Sequence, residues 1–106
     1  VIALRKQAKQ AFPIEQGLQF KAGRGDARQG SGRTISISSG AVCFRIEAGD
    51  LLTEGEAIEL AIEWPVLLNG CCLMTLVIHG WVESSHRLMA VVATERYEFK
   101  TRGRKA

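Results

Sequence analysis

Along most of the chain, apolar and polar residues alternate with a period of two. Ile58, Leu60, Ile62 and Trp64 are interleaved with Ala57, Glu59, Ala61 and Glu63. A strand sends successive side chains to opposite faces, so this spacing predicts a half-buried strand. Pro65, which has no donor for a ladder, is expected to end it. Val42, Phe44 and Ile46 alternate in the same way with Cys43, Arg45 and Glu47, and Ile35 and Ile37 with Thr34, Ser36 and Ser38. Further strands are expected over 12–21, 71–83 and 87–95, with Ser84, Ser85 and His86 as a short polar hairpin connection between the last two. Only residues 2–11 have a composition that would coil, and Pro13 stops any helix there. Short strands joined by Gly-rich turns predict an all-β fold, a small barrel or a sandwich. In a barrel, Ile35, Ile37, Val42, Phe44, Ile58, Leu60 and Ile62 are the residues expected inside.

The stretch from Ala22 to Gly32 holds glycines at 23, 25, 30 and 32 and reads as a flexible hairpin loop. It is not a phosphate cradle, because no Gly-Lys-Ser or Gly-Lys-Thr follows it and no helix opens after it. At 106 residues the chain fits a single domain, divided into an N-terminal segment (1–11), a barrel (12–99) and a basic tail (100–106). No apolar run approaches the roughly 20 residues that a helix needs to cross a bilayer. Of the three cysteines, Cys71 and Cys72 are neighbours, and in an extended strand they would point to opposite faces. That pattern is not a secreted disulfide framework, so a reducing, cytoplasmic setting is expected.

Net charge is +3, and its placement says more than its size. Arg5, Lys6 and Lys9 form one basic group and Arg24, Arg28 and Arg33 a second. Arg96, Lys100, Arg102, Arg104 and Lys105 form a third, while the stretch 47–63 is acidic. Such a split favours an anionic ligand or partner near the termini. Catalysis has little to build on. No serine sits in a GxSxG elbow. His79 lies in an apolar strand as a core or lining histidine, His86 sits in a turn without a partner, and Glu54, Glu56, Glu59 and Glu63 form a solvated strand face. No CxxC or HxxxH spacing offers a metal site. The expectation is a non-enzyme with no metal and no cofactor.

One segment carries more information than the rest. Gly32-Arg33-Thr34-Ile35-Ser36-Ile37-Ser38-Ser39-Gly40-Ala41-Val42-Cys43-Phe44 resembles the second signature of PilZ domains, an Asp/Asn-x-Ser-x-x-Gly block between two strands. Phe12-Pro13-Ile14 resembles the start of that family's first strand. Gly80-Trp81-Val82, Ala90-Val91-Val92-Ala93 and Arg96-Tyr97-Glu98-Phe99 resemble its last hairpin, so the likeness runs from about residue 5 to 104. The resemblance implies a split, Greek-key-like antiparallel barrel of six strands. It also implies a place in bacterial signalling by cyclic di-GMP.

In PilZ domains that bind this nucleotide, an Arg-x-x-x-Arg pair before the first strand grips it, and the second block closes from the barrel side. A guanidinium fork suits phosphate and guanine edges, and the block's glycine permits close approach. Carried over residue by residue, the arginine positions fall on Gln7 and Ala11, the Asp/Asn position on Ser36 and the glycine position on Ala41, one residue after Gly40. Of these positions only the serine, Ser38, is kept. Losing two charge-assisted anchors at about 1.5–3 kcal/mol each weakens binding by several orders of magnitude.

The expected function is therefore a non-catalytic PilZ-type regulatory module with an eroded nucleotide site, acting through a protein partner or fused domain. An alternative is a working cyclic di-GMP receptor through the shifted pair Arg5 and Lys9, with Ser36, Ser38 and Gly40. A third, of another class, is a small nucleic-acid-binding barrel. It is disfavoured by an aromatic content of 7% without aromatic and basic residues interleaved along a strand.

Overall fold

In the computed structural model the backbone is described from residue 12 to 104 and the side chains from 13 to 101. Seven strands follow one another: β1 (Phe12–Pro13), β2 (Gly17–Ala22), β3 (Arg28–Ile37), β4 (Ala41–Gly49), β5 (Ala57–Leu68), β6 (Cys72–His86) and β7 (Met89–Arg104). Every pairing is antiparallel. Six strands run in the order β3-β2-β5-β6-β7-β4, and β4 returns to β3, closing a six-stranded barrel. The predicted all-β barrel is what the chain forms.

The strand predicted over 12–21 is broken in two. Phe12 and Pro13 oppose Ile37 and Ser36, whereas Gly17 to Ala22 oppose Arg33 to Arg28, so β1 and β2 lie along the same side of β3 with 14–16 looped out between them. Thr34, fully buried, closes that interruption. Its hydroxyl donates to the Ile14 carbonyl and accepts from the Gln16 N–H at 2.9 Å, and its own N–H donates to the Gln16 carbonyl at 2.9 Å. A buried hydroxyl is tolerated because both its donor and acceptor functions are used.

The inward rows supply the core: Leu18, Phe20 and Ala22 from β2, Val42, Phe44 and Ile46 from β4, Ile58, Leu60 and Ile62 from β5, Leu76, Ile78 and Val82 from β6, and Ala90 and Val92 from β7. Phe20 and Phe44 meet near the centre with ring centroids 6.0 Å apart. Five of the seven predicted interior residues are buried; Ile37 is partly buried against the cluster and Ile35 is exposed. The register explains Ile35. Thr34 opposes Phe44, but Ser36 opposes Cys43, so Ile35 is the extra residue of a bulge and is turned outward.

Bulges also explain the glycines. The predicted loop 22–32 shrinks to Gly23–Ala27 around a 3₁₀ turn (Arg24–Asp26), and Gly30 and Gly32 belong to β3. At the register shift beside Gly32, a Cβ would stand 2.0 Å from the Arg45 carbonyl oxygen; at the shift beside Gly80 it would stand 1.8 Å from that of Ala93. These are points where neighbouring backbones close in and no side chain fits.

Three strand ends differ from expectation. β5 passes through Pro65 to Leu68, with its register interrupted between Trp64 and Leu68, where a missing donor costs little. Ser84, Ser85 and His86 lie within β6, and the hairpin turns at Arg87 and Leu88 instead. Arg87 takes a φ of 60°, and Ile46 N–H donates to the Leu88 carbonyl at 2.7 Å, so a tertiary contact braces a turn that carries no glycine. β7 runs on to Arg104, which makes strand of most of the predicted tail. Its pairing with β4 ends at Ala93 opposite Ala41, after which Thr94 N–H reaches the Gly40 carbonyl at 3.0 Å. From Glu95 to Arg104, β6 is its one ladder partner among the described residues. The barrel is closed at one end and split at the other.

Candidate binding site

The block singled out by sequence sits on the tight turn between β3 and β4, at the edge of the split. Ser38 N–H donates to the Ala41 carbonyl at 2.9 Å, and its Oγ accepts from the N–H groups of Gly40 and Ala41 at 3.2 and 3.1 Å. The hydroxyl is committed to the turn, as is usual where a serine side chain bonds nearby backbone. Gly40 holds the same turn to β7 through its carbonyl. Ser36 opposes Cys43, which lies between the inward-facing Val42 and Phe44, so its side chain is on the outer wall. Arg5 and Lys9, like Gln7 and Ala11, lie outside the described residues. Ser36, Ser38 and Gly40 are therefore one local element with two faces, outer wall and split mouth.

On the outer wall, one row across the strands reads Ser36, Cys43, Val91, Ser84 and the next reads Ala41, Ala93, Trp81, Ala57. Trp81 lies between the buried Gly80 and Val82 and is 45% exposed, standing among alanines. Partial burial pushes the Cys43 thiol up from its ordinary value. Those two rows carry no charge.

The mouth is a concavity with mostly apolar walls. A groove of about 260 Å³ runs between the β3–β4 turn and β7, with Ile37, Ser38, Trp64, Tyr97 and Phe99 among its walls. Phe99 packs edge-on against Trp64, centroids 5.1 Å apart, and against Tyr97 at 6.3 Å. Tyr97 and Phe99 oppose Ile78 and Leu76, both buried, so they face the barrel interior. They remain 56% and 44% exposed because β4 has already ended its pairing with β7. Thr94 lines the same groove, and its buried Oγ1 has no hydrogen-bond partner among the described residues. Apolar walls with a few polar groups are the usual make-up of a ligand or peptide site.

Elsewhere the chemistry is structural. Of the two positions expected for His79, core or lining, the structure gives the lining one: it stands on the outer wall beside a surface pocket, with Nδ1 3.8 Å from Glu59 and Nε2 3.5 Å from Glu98. Glu56 is not part of a solvated face: it is half-buried, accepts from Arg28 at 2.8 Å and holds the Thr53 N–H at 2.7 Å. Among the described residues no three metal-ligating side chains gather, and no helix is long and apolar enough to cross a membrane.

In the sequence, Trp64 ends the alternating row of a predicted strand, and Tyr97 and Phe99 fall in the stretch that resembles a closing hairpin. The signal available was the pair of aromatics at alternate positions, Tyr97 and Phe99, but only the early end of β4 leaves them open beside Trp64 as a groove. Comparison of the chain with protein-family models, curated proteins and solved structures returned no match.

Proposed function

We propose that this protein is a non-catalytic binding module of the PilZ type, a bacterial regulator whose nucleotide site has eroded and which acts by taking a protein segment at the split mouth. The observation that carries the reading is the aromatic groove beside β7, a strand with one ladder partner along Glu95–Arg104 among the described residues. An extended segment added there gains main-chain hydrogen bonds from the edge and places alternate side chains in the groove. Charges of both signs, Glu95, Arg96, Glu98 and Lys100, are exposed on this strand, and a partner segment is expected to match them with the opposite signs. The six-stranded barrel and the position of Ser36–Gly40 between β3 and β4 support the family resemblance.

A second reading, a cyclic di-GMP receptor, draws support from Trp81, whose exposed indole beside the Ser36 row offers a face on which a base can stack. Gln7 and Ala11 argue against it, since neither supplies a charged fork. Two measurements separate the readings. Calorimetric titration with cyclic di-GMP is expected to give no binding at low micromolar concentration; submicromolar binding that is lost in Trp81→Ala would put the receptor first. A photo-crosslinking residue at position 97 is expected to capture a protein in the native bacterium, and the same residue at position 59 on the closed wall is expected to capture none. Equal capture at both positions would remove the mouth as the site.

A further inference from the structure

The hairpin between β5 and β6 turns through Asn69 and Gly70, which both take left-handed backbone (φ 53° and 75°). Cys71 N–H donates to the Leu68 carbonyl at 3.1 Å, and Leu68 opposes Cys72. Cys71 is thus the last residue of the turn and Cys72 the first of the strand. The alternation that would send adjacent strand side chains apart has not yet begun at Cys71. The result corrects the expectation for these cysteines: their Sγ atoms lie 3.7 Å apart, and both residues are partly exposed.

We propose that Cys71 and Cys72 form a chelating pair for soft, thiophilic acceptors that bind two sulfurs, the class represented by monosubstituted trivalent arsenicals. Thiolate sulfur selects soft acceptors. Among the described residues no third metal-ligating side chain joins the pair, which leaves it short of the four ligands of a structural zinc site. An internal disulfide is the competing fate of two close thiols. Here the Cα atoms are held about 3.8 Å apart by one trans peptide, below the 4.4–6.8 Å over which disulfides are relaxed. Such a bond is strained and readily reduced, so the dithiol form persists under reducing conditions. An arsenic atom bridging the sulfurs relieves that constraint by lengthening the link.

The chemistry balances without a redox step. An arsenoxide, R–As=O, meets two thiols; two S–H bonds break, two As–S bonds form, and the oxygen leaves with both protons as water. Contact with the Cys71 thiol pushes the Cys72 thiol up from its ordinary value. Cys43, partly buried on the outer wall, lies on β4, which among the described residues pairs with β3 and β7 and not with the β5–β6 hairpin, and it makes a single, exchangeable bond.

The test uses phenylarsine oxide on the reduced full chain, read by intact mass. The expected result is one phenylarsenic per chain with loss of one water. The adduct survives a large excess of 2-mercaptoethanol and is stripped by 1,2-ethanedithiol. Cys71→Ser and Cys72→Ser are expected to lose the adduct completely in the monothiol wash, and Cys43→Ser to keep it. Loss of the wild-type adduct in that wash would overturn the proposal, as would retention in either turn variant. The wild-type wash alone decides the matter should a variant fold poorly, which a circular dichroism melt reports.

Discussion

The closed wall and the split mouth of this barrel are built from the same kind of sequence and end in opposite states. Phe44 on β4 and Phe99 on β7 each occupy an inward-facing row. Phe44 is fully buried against Phe20, because strands flank it on both sides. Phe99 is nearly half exposed, because its strand has β6 on one side and a groove on the other. Facing inward is thus a property of the strand, and being buried is a property of the neighbours. A barrel that stops its closure early converts core-type residues into an exposed surface without changing their pattern.

The comparison is broken most severely at the wall. Phe44→Ala is expected to cost about 3–5 kcal/mol, the usual loss for a deleted buried ring. Phe99→Ala forfeits chiefly its edge-on contact with Trp64, about 0.5–1.5 kcal/mol beyond a partial loss of burial. Urea unfolding of the two variants measures both. Similar midpoint shifts would show that the mouth is packed as tightly as the wall.

A second test concerns closure itself. At Gly80 a methyl group meets the Ala93 carbonyl within 1.8 Å, whereas nothing lies within 4 Å of the same group at Gly70. Gly80→Ala is expected to lose about 1–3 kcal/mol or more by forcing β6 and β7 apart. Gly70→Ala, at a positive φ, is expected to lose about 1 kcal/mol from backbone strain. Thermal melts rank the two, and a milder effect at Gly80 would mean that the bulge there is soft.

The smallest effect is expected at the far end of β7. Residues 100–104 pair with Cys72–Thr75 of β6 and with no other strand among the described residues. Truncation after Phe99 should leave the β-type circular dichroism spectrum in place with a modest fall in melting temperature. It should also remove most of what weak, salt-sensitive binding to single-stranded DNA the basic residues support. A nucleic-acid complex surviving about 0.2 M salt would move the nucleic-acid reading ahead of the protein-binding one.

Much of the wall was legible in the chain. Ile58, Leu60, Ile62, Val42 and Phe44 are buried as their alternation predicts, since a period of two has one consequence wherever a sheet covers a core. The misplacements share a cause. Ile35 was assigned inward and the hairpin to Ser84–His86 because bulges shift the face or the turn by one or two residues, and a bulge is decided by the partner strand. Gly30 and Gly32 read as loop, since an isolated sequence does not distinguish a glycine that needs freedom from one that must yield space.

For the site, the chain alone determined that the Ser36–Gly40 block lies at the junction of two strands. It could not say that Ser38 spends its hydroxyl on the turn, that Ser36 faces an outer wall bearing Trp81, or that Trp64, Tyr97 and Phe99 converge. Those residues come from β5 and β7, and they share a groove through the register of β5 and β7 on β6 and the point where β4 leaves β7. Local spacing determines the face on which a side chain lies. Which faces meet, and where the barrel is left open, depends on pairings between residues distant in the chain, and these exist only once the sheet has closed.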